Sequence, residues 1–547
     1  MTQRVLVTDD LSAEAVELLE EHPGFAFDVV KGLDAEDLAA VIPAYDGLIV
    51  RSSARATADV INAGDRLKAI GRAGVGIDNI DMRTASERGI VVMNTPGANT
   101  VATAEHTMAL LLALCRHIPQ AVESLKDGRW ERGRFKGVEL RTKTIGIVGL
   151  GRIGRRVARR CRAFGMNVLA CDPYLSSERV EAMRLERVAF DELLARSDFI
   201  TLHAALTPET RHLIDAAAIA KMKTGVRIIN AARGELIDED ALVAALADGT
   251  VAGAALDVLA HEPPDSDDPL LLLDNVIVTP HLAASTSESQ REVGIQIVAQ
   301  MIDALLGIEF RNALNMPIVD GQVLAELRPY LSMAEKIGNL QTQLAGGAVS
   351  RVEIAIEGDV IEEYARPIST ALLKGMLEPV VTETVNYVNA GLVAEERGIA
   401  VAHLTGLHTT DYPNVISCRV EWPGGTRTIA GTLFSNDEPR IVEVDGYRVD
   451  VVPEGTMLVA VSRDEPGFIG KVGTLLGELG INIATWRTGR AEPGGRALSF
   501  VSVDSDVPDE AMATLAATPP IEWIARVHLE PSRPAPPATT GAPGSRS

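Results

Sequence analysis

The sequence predicts an α/β protein with two doubly wound parallel-sheet lobes, followed by an α+β domain and a ferredoxin-like domain. Three patterns carry this prediction. Short apolar strands alternate with helical segments through residues 1–98 and again through 99–284, which favours parallel sheets. Residues 318–452 show β-type alternation with hairpin signals such as EWPGGTRT. Residues 453–530 follow the order strand, helix, strand, strand, helix, strand of a split βαβ fold.

The first series contains strands in RVLVTD, GLIVRS and LKAIGRAG and helices in SAEAVELLEEH and DAEDLAAVI. A long helical pattern then runs from Ala102 to about Gly128 and is interrupted at Pro119. Its apolar middle is longer than one helix face needs. We therefore expect this helix to pack between domains or between subunits.

The second series has six predicted strands, in TIGIVG, NVLACD, DFITLHA, RIINAA, VAGAALDV and NVIVTP. Six strands at this spacing predict a dinucleotide-binding type of domain over 99–284. Ser285-x-x-Glu288 then matches a capping box at the start of a helix. If the two lobes close over one cleft, residues 285–317 have to return to the first lobe and complete it. The tail at 531–547 is rich in Pro, Gly and Ser and is predicted to be disordered.

Overall charge and cysteine usage limit the classes of function. The chain of 547 residues has 52 basic and 75 acidic residues, a net charge of −23, which argues against nucleic acid or a membrane surface as a partner. An anionic substrate would need a local cluster of arginines inside this repelling field. The four cysteines lack metal-ligand spacing, and neither a signal peptide nor a membrane-spanning run is evident. We expect a cytoplasmic protein without a metal site.

A glycine motif at the start of the second lobe predicts the cofactor. In TIGIVGLGRIGRRVA, the glycines are Gly149, Gly151 and Gly154, placed after a strand and opening a helix. They suit a tight turn, close approach of a pyrophosphate and helix–strand packing, in that order. Asp172 ends the next strand, where a carboxylate accepts hydrogen bonds from ribose hydroxyls and repels a 2′-phosphate. The pattern predicts NAD rather than NADP; the alternative is a glycine-rich turn without a ligand.

Three charged or titratable residues follow strands of the same lobe: Arg233, Glu262 and His281. Each has a simpler explanation by itself, as an ion-paired arginine, a loop glutamate or a structural histidine. Parallel strands, however, bring their carboxyl ends to one crevice. Oxidation of a secondary alcohol needs a base for the hydroxyl proton, which suits histidine, and a carboxylate partner fixes its tautomer. A guanidinium can hold a substrate carboxylate by two hydrogen bonds.

The segments INAARGELIDEDAL, ALDVLAHEPP and VTPHLAAST resemble, in order and spacing, the D-2-hydroxyacid dehydrogenase family. The resemblance implies Arg233 as the binder of the substrate carboxylate, Glu262 as the partner of the histidine, and His281 as general acid/base. It also implies NAD contacts from one further set of residues besides the three glycines: Val75, Arg152, Ile153, Asp172, Ala204, Ala231, Ala232, Asp257, Leu282, Ala283 and Ala284. Ala204 replaces a threonine typical of the family, which removes a side-chain hydrogen bond there.

Within the family, VRSSARAT, AIGRAGVGIDNID, MNTPGANTVATAEH and WERGRFKGVEL resemble the long-form branch that oxidises 3-phospho-D-glycerate to 3-phosphooxypyruvate, the first step of L-serine biosynthesis. Arg51 and Arg72 end strands of the first lobe and could supply the local positive charge that a phosphate needs. The resemblance implies a substrate-binding domain over 1–98 and 285–317, with Arg132 reaching the site from a partner subunit. The expected substrate-binding residues are Arg51, Ser52, Arg72, Gly74, Gly76, Asn99 and Arg132.

The C-terminal half is consistent with this branch. RDEPGFIGKVGTLLGELGINIATWRTGR (463–490) resembles an ACT domain, an amino-acid-sensing module. Asp464 and Asn482 are the candidate ligands of an effector, by resemblance serine, and a purely structural role is the alternative. Residues 318–452 resemble the intervening domain of the long form, and a homotetramer is expected. The alternatives for the whole chain are a glyoxylate or hydroxypyruvate reductase and, in a different class, an NAD-sensing corepressor.

Overall fold

The computed structural model describes residues 2–51, 53–318, 320–382, 384–404 and 412–531. These residues form four sheets, and the predicted α/β class is confirmed. Ser52 and, apart from Pro531, the predicted disordered tail lie outside the described residues. The domain boundaries predicted at 98/99, 284/285, 317/318 and 452/453 stay predictions. Within the described ranges, no helix combines the length and apolarity that crossing a bilayer requires.

The first lobe is built on a parallel sheet. Its strands are β1 (Gln3–Val7), β2 (Phe25–Val29), β3 (Gly47–Val50), β4 (Ala69–Arg72) and β5 (Val91–Met93). They lie in the order β2-β1-β3-β4-β5, a doubly wound order that reverses between β1 and β3. The surrounding helices are α1 (Ala13–Glu21), α2 (Ala35–Val41), α3 (Ala58–Ala63) and α4 (Met82–Glu87), with a 3₁₀ turn at Ile42–Ala44.

The second lobe begins with two consecutive helices, α5 (Thr100–Arg116) and α6 (Ile118–Lys126). The chain breaks at His117, which has a left-handed φ of 52°, and Pro119 lies in the first turn of α6, where a missing N–H costs nothing. The buried face of α5 packs on the second sheet and on the helix over Arg152–Ala163. The expected packing of this face between domains is therefore wrong. Contact with another subunit stays a prediction.

The sheet of the second lobe is also parallel. Its strands are β6 (Thr144–Val148), β7 (Asn167–Cys171), β8 (Glu186–Arg187), β9 (Phe199–Leu202), β10 (Val226–Asn230), β11 (Val251–Leu256) and β12 (Val276–Val278). Their order is β12-β11-β10-β9-β6-β7-β8. The six predicted strands are present; β8 was not predicted because its two residues are polar and exposed. The helices are α7 (Arg152–Ala163), α8 (Ser177–Ala182), α9 (Phe190–Arg196), α10 (Ala216–Ile219) and α11 (Glu239–Ala247), with 3₁₀ turns at Gly234–Leu236 and Pro269–Leu272.

Helix α12 (Ser287–Leu306) leaves the second lobe and packs on the first sheet. A Cβ on Gly71 of β4 would lie 2.8 Å from the Ile297 side chain, so this contact needs a glycine. The predicted capping box is wrong by one residue. Thr286 caps the helix by accepting from the Ser289 N–H, and Ser285 precedes the cap.

The third sheet is mixed. It comprises β13 (Arg351–Glu357), β14 (Ala400–Leu404), β15 (Val415–Trp422), β16 (Gly425–Phe434), β17 (Glu438–Val444) and β18 (Tyr447–Val451), in the order β14-β13-β15-β16-β17-β18. The EWPGGTRT hairpin joins β15 to β16 as predicted. The helices are α13 (Gly321–Leu344), α14 (Ala365–Leu377) and α15 (Ala390–Glu396), with 3₁₀ turns at Glu362–Tyr364 and Ser435–Asp437. The long helix α13 and its partner α14 were not predicted.

The fourth sheet is antiparallel and has the predicted split βαβ order. It contains β19 (Gly455–Arg463), β20 (Ile483–Arg490), β21 (Arg496–Val503) and β22 (Ile521–Leu529), in the order β20-β21-β19-β22, with α16 (Phe468–Glu478) and α17 (Asp509–Ala516). One face of this sheet is continuous with the core of the third sheet, since Val459, Phe500 and Val527 pack with α13 residues in one cluster.

Candidate active site

The loop after β12 holds the predicted acid/base histidine. Nδ1 of His281 lies 2.8 Å from Oε2 of Glu262, and Oε1 of Glu262 accepts from the Leu259 N–H at 3.1 Å. Burial alone would raise the pKa of Glu262, but the contacts with His281 and the Leu259 N–H outweigh it, so the pKa lies below 4.5. The glutamate is therefore ionised at neutral pH. Half of the His281 side chain is exposed, which leaves the ring accessible to a small molecule.

The backbone of His281 is held in an unusual conformation. Its φ is 52°, a left-handed value that a residue other than glycine adopts only at a cost of about 1–3 kcal/mol. Asp257, which directly follows β11, supports this loop. Its main-chain oxygen accepts from the His281 N–H at 2.9 Å, and its carboxylate accepts from the Leu282 and Ala283 N–H groups at 2.8 Å each. Three backbone N–H groups of the loop thus donate to one buried residue, Asp257.

Two side chains outside the predicted site complete the surroundings of Asp257. Thr279 donates its hydroxyl to Oδ1 at 2.6 Å, and Nε2 of His106, from α5, lies 3.0 Å from the same oxygen. Burial would raise the pKa of Asp257, but its hydrogen bonds with His106, Thr279 and the two N–H groups outweigh that effect and hold the pKa below 3.8. A charge that is fully buried here is tolerated because every donor is aimed at it.

Arg233 spans the cleft between the two lobes. Its Nε lies 3.2 Å from Oδ2 of Asp78 in the first lobe, and its Nη1 donates to the Ala232 carbonyl at 2.7 Å. The loop that carries it is shaped by the buried Asn230, which donates to the Arg233 carbonyl and accepts from the Ala232 N–H. A Cβ on Gly76 would lie 2.0 Å from Nη2 of Arg233, so the guanidinium is pressed against bare backbone of the first lobe.

Arg72, at the end of β4, makes the same kind of contact. A Cβ on Gly74 would lie 1.9 Å from its Nη1, and the φ of Gly74 is 155°. Burial lowers the pKa of Arg72 to about 10, and the guanidiniums of Arg233 and Arg51 act in the same direction, against Asp78. Arg233 and Arg51 therefore each lie close enough to Arg72 to repel it. Nε of Arg72 is buried without a hydrogen-bond partner among the described residues, which suits an anion that is not part of the chain.

The chain leaves the first lobe beside this arginine cluster. Asn94 donates to the Val75 carbonyl at 2.6 Å, and Thr95 donates its N–H and its hydroxyl to the Gly74 carbonyl. These hydrogen bonds hold the backbone at Gly74 and Val75 in place. Asn99 precedes the first turn of α5, and its Oδ1 is buried without a hydrogen-bond partner among the described residues. A buried acceptor without a donor at this position is consistent with the predicted contact to a polar ligand.

One predicted substrate residue in the described part of the chain is not brought to this cluster, and Ser52 lies outside the described residues. Arg132 is exposed, in the loop after α6, and the structure shows no contact between it and the arginine cluster within the described part of the chain. Its expected role from a partner subunit stays a prediction.

The glycine motif has the geometry that the sequence predicted. A Cβ on Gly154 would lie 2.1 Å from the Gly149 carbonyl oxygen, so helix α7 packs directly on the turn. Gly149 has a left-handed φ of 91° and passes 2.7–3.0 Å, measured from its hypothetical Cβ, from the His203 and Ala204 backbone. A Cβ on Gly151, by contrast, would meet nothing within 4 Å, which leaves the N-terminus of α7 open. This open helix end fits a pyrophosphate.

Asp172 lies where the ribose of a dinucleotide would be expected. Its Oδ2 accepts from the Leu150 N–H at 2.8 Å and its Oδ1 from the Tyr174 N–H at 2.9 Å, so it is oriented by the glycine-rich turn itself. It lines a cleft of about 460 Å³ together with Cys171, Pro173 and residues 187–189. Four of the remaining predicted cofactor residues follow strands β9 to β11 of this sheet: Ala204, Ala231, Ala232 and Asp257. The 282–284 segment lies in the loop after β12, Arg152 and Ile153 open α7, and Val75 follows β4 in the first lobe. The chain therefore fits NAD along one edge.

The two predicted effector residues are not brought together within one chain. Oδ2 of Asp464 accepts from Nη1 of Arg490 at 2.7 Å and from the Gly494 N–H at 3.2 Å. It lines a cavity of about 570 Å³ at the N-terminus of α16, where Ser462 Oγ is buried without a hydrogen-bond partner in the described residues. Asn482 does not line that cavity and donates instead to Asp504 at 2.6 Å.

Comparison with known proteins matches three family models to this architecture. The NAD-binding domain of D-isomer-specific 2-hydroxyacid dehydrogenases matches residues 108–283, the D-3-phosphoglycerate dehydrogenase intervening domain matches 326–445, and the ACT domain matches 456–519. A D-3-phosphoglycerate dehydrogenase of Methanocaldococcus jannaschii is 45% identical over 96% of this chain and 100% of its own length. The chain belongs to the D-3-phosphoglycerate dehydrogenase family. The expected NAD-dependent dehydrogenase of the long form is thereby confirmed at the level of the family.

Other relatives agree with this assignment. The D-3-phosphoglycerate dehydrogenase of Bacillus subtilis is 42% identical over 96% of the chain and 99% of its own length. Among solved structures, a glyoxylate reductase of Paecilomyes thermophila aligns with a TM-score of 0.53 and 33% identity, covering 57% of this chain and 98% of that one. A D-lactate dehydrogenase of Aquifex aeolicus, solved with NAD and lactic acid, has a TM-score of 0.50 and 30% identity, covering 56% of this chain and 96% of that one. Each of these two solved structures aligns over nearly all of its own length and over little more than half of this chain.

Proposed function

We propose that this protein oxidises 3-phospho-D-glycerate to 3-phosphooxypyruvate with NAD, the first step of L-serine biosynthesis. The observation that carries the proposal is the pair of His281 and Glu262, 2.8 Å apart. They follow β12 and β11, and Arg233 follows the neighbouring β10 and contacts the first lobe beside Arg72. A proton acceptor, a carboxylate binder and a phosphate binder are the three groups that this substrate needs. The identity to D-3-phosphoglycerate dehydrogenases over nearly the whole chain supports the same substrate.

The pairing with Glu262 decides which nitrogen of His281 acts. An ionised carboxylate only accepts hydrogen bonds, so Nδ1 carries a hydrogen and Nε2 holds the free lone pair. Nε2 takes the proton of the substrate hydroxyl, while the hydrogen on the carbon that carries this hydroxyl leaves with its electron pair. NAD, when bound, supplies the hydride acceptor. Glu262 stabilises the imidazolium that results and keeps the ring in place for the reverse transfer.

The arginine cluster suits a substrate with two anionic ends. Nε of Arg233 contacts Asp78 and one Nη1 hydrogen is donated to the Ala232 carbonyl, which leaves the other Nη hydrogens for the carboxylate beside the carbinol. Holding that carboxylate fixes the face presented to the cofactor. Arg72, whose pKa is about 10, remains charged at neutral pH and, with Arg51, provides positive charge for the phosphate. In a chain with a net charge of −23, these mutually repelling arginines are stabilised when an anion binds between them. Substrate binding then relieves repulsion that the free protein contains.

A steady-state assay with phosphoglycerate and NAD tests the proposal. His281→Ala should lower kcat by roughly three orders of magnitude or more, because general base catalysis and the orientation of the base are both lost. The matched control is His261→Ala, an exposed histidine next to Glu262 in the loop after β11; its side chain makes no hydrogen bond or ion pair with Glu262 or His281 among the described residues. Turnover of the His281→Ala variant at the wild-type rate would refute the mechanism.

The same assay separates the alternatives. Glyoxylate and hydroxypyruvate lack the phosphate, so a phosphoglycerate enzyme should show a far higher kcat/KM for its own substrate pair. Arg51→Ala should raise KM for phosphoglycerate and leave the rate with hydroxypyruvate almost unchanged, since only the first substrate carries a phosphate. A binding protein of the corepressor class would show no turnover with any of these substrates.

We further propose that serine regulates the enzyme through the ACT domain and that the cytoplasmic enzyme is a homotetramer. The cavity beside Asp464, with a helix N-terminus and the buried Ser462 hydroxyl, suits a small zwitterion. Because Asn482 lies away from this cavity, the proposal needs a second subunit to supply it. Titration of serine into the assay, with wild type and Asn482→Ala, tests regulation, and light scattering tests the tetramer. Equal activity at all serine concentrations would refute the regulatory role.

A further inference from the structure

We infer that His106 is a positioning residue for the acid/base histidine, acting through Asp257. The inference rests on the proposed function, because it assigns a residue to the same proton-transfer site. His106 lies in α5, outside the catalytic loop, and among the described residues it makes no hydrogen bond or ion pair with Glu262 or His281. Its side chain is 21% exposed and that of Asp257 is completely buried.

The hydrogen-bond direction at His106 follows from its partner. Nε2 lies 3.0 Å from Oδ1 of Asp257 and 3.2 Å from the Thr279 hydroxyl. Asp257 is ionised and can only accept, and the Thr279 hydrogen is already donated to the same carboxylate oxygen at 2.6 Å. Nε2 of His106 therefore carries a hydrogen and donates it. This is the one side-chain donor to Asp257 that comes from outside the strand ends of β11 and β12 within the described chain.

The orientation of Asp257 sets the backbone of the catalytic loop. Oδ1 accepts from the Leu282 N–H and Oδ2 from the Ala283 N–H, both at 2.8 Å. Rotation of the carboxylate about its Cβ–Cγ bond would break both contacts at once. These are the two residues that follow His281, whose left-handed φ of 52° is sustained only while the loop is held. A donor that locks the carboxylate plane thus also locks the imidazole.

Helix α5 fixes the position of the His106 ring. The helix begins at Thr100, directly after Asn99, and packs on the second sheet. His106 therefore lies less than two turns from the start of a rigid helix in the same lobe as Asp257. An ordinary packing histidine would affect stability alone, whereas a positioning histidine affects the chemical step.

The test compares His106→Phe with His106→Gln. Phenylalanine keeps the ring and removes the donor, whereas the glutamine amide nitrogen can reach the position of Nε2. We expect His106→Phe to lower kcat about tenfold with KM for phosphoglycerate nearly unchanged, because the base is displaced and not the substrate. Glutamine should restore kcat to within about threefold of wild type. Binding of NAD, followed by tryptophan fluorescence, should persist in both variants.

A double variant decides whether the effect passes through His281. In the His281→Ala background, assayed at high enzyme concentration, adding His106→Phe should cause no further loss of kcat. The inference is overturned if kcat of His106→Phe equals that of wild type, if glutamine fails to rescue, or if the full loss persists without His281. If His106→Phe does not fold, His106→Asn replaces it, since its amide is too short to reach Asp257. Failure of the proposed function would appear separately, as an unimpaired His281→Ala enzyme.

Discussion

A methyl group placed on Gly76 tests whether the position of Arg233 controls substrate capture. The hypothetical Cβ of this residue lies 2.0 Å from Nη2 and 3.1 Å from Cζ of Arg233. Ordinary van der Waals contact begins near 3.4 Å. Nη2 must therefore move by about 1.4 Å, the difference between 3.4 and 2.0 Å. The backbone at Gly76 does not need a left-handed conformation. The Cβ would also lie 2.8 Å from Oδ2 of Asp78, which contacts Nε of Arg233, so Gly76→Ala acts on both members of this ion pair.

The size of the effect follows from what the displaced atoms do. A misplacement of about 1 Å in a substrate-positioning group can reduce the rate up to a hundredfold. The free energy of unfolding should change by less than about 0.5 kcal/mol, because the atom that gives way is the end of a flexible side chain. We expect kcat/KM for phosphoglycerate to fall roughly ten- to hundredfold, mainly through KM, at an unchanged melting temperature.

Gly97→Ala is the matched control for this experiment. Gly97 lies in the segment that leaves the first lobe after β5, its Cβ would meet nothing within 4 Å, and its φ is not left-handed. Steady-state kinetics and thermal unfolding are measured for wild type and both variants, with and without saturating NAD. Stabilisation by NAD should be the same in all three proteins, because the contact that changes involves the substrate side of the cleft.

Two results would refute this reasoning. A kcat/KM of Gly76→Ala within twofold of wild type would mean that the guanidinium reaches the substrate equally well from a shifted position. A melting temperature several degrees below that of Gly97→Ala would mean that the backbone, and not the arginine, absorbs the overlap. Either result would remove Gly76 as the element that aims Arg233.

Three further predictions concern the buried charge, the cofactor and a helix crossing. Asp257→Asn should lower the free energy of unfolding at pH 6 by about 1–3 kcal/mol. Because the pKa of Asp257 in the folded protein lies below 3.8, the stability advantage of wild type is complete at pH values above 3.8 and is lost as the pH falls through the pKa of the folded state. Urea unfolding at pH 6, 4 and 3 measures this loss. Asp172→Ser should shift the ratio of kcat/KM from NAD towards NADP by about tenfold, and an unchanged ratio would contradict the role of its carboxylate. Gly338→Ala should lower the free energy of unfolding in urea by about 2 kcal/mol, because its Cβ would lie 2.0 Å from the Leu372 carbonyl oxygen. The contrasting variant Gly473→Ala has open space around its Cβ and should raise the free energy of unfolding by about 1 kcal/mol.

The C-terminal domains show where sequence patterns lose their power. The order of strands and helices in 453–530 was predicted because each element is short and regular in period. Helix α13, with 24 residues and Pro329 inside it, was missed in the Glu-rich 318–452 region. Its crossing with α14 depends on Gly338 and Gly375, each of which faces a main-chain oxygen of the other helix. In the sequence alone, a glycine only lowers the helix propensity of its segment, because its packing role depends on a partner helix that the sequence does not identify.

The candidate site divides in the same way. His281, Glu262 and Arg233 could be predicted because strand ends of a parallel sheet share one edge, and the side chains that follow them have chemistry suited to the reaction. Asp78, His106 and Thr279 could not, since each acts across the cleft or between elements distant in sequence: 155 residues separate Asp78 from Arg233, and 151 separate His106 from Asp257. Local spacing contains no information about such contacts.

The sequence by itself determined the class of sheet, the cofactor motif, the residues at the strand ends and the succession of domains, because period, turn chemistry and motif spacing are local properties. Only the tertiary structure decided how His281 is held. Packing brings separate elements to one point, and three features result: the 2.8 Å contact of His281 with Glu262, the left-handed φ of His281, and the hydrogen bond from His106 of α5 to Asp257. The same holds for the arginines: their order in the chain is fixed by sequence, and their mutual repulsion arises from the closeness that the fold imposes.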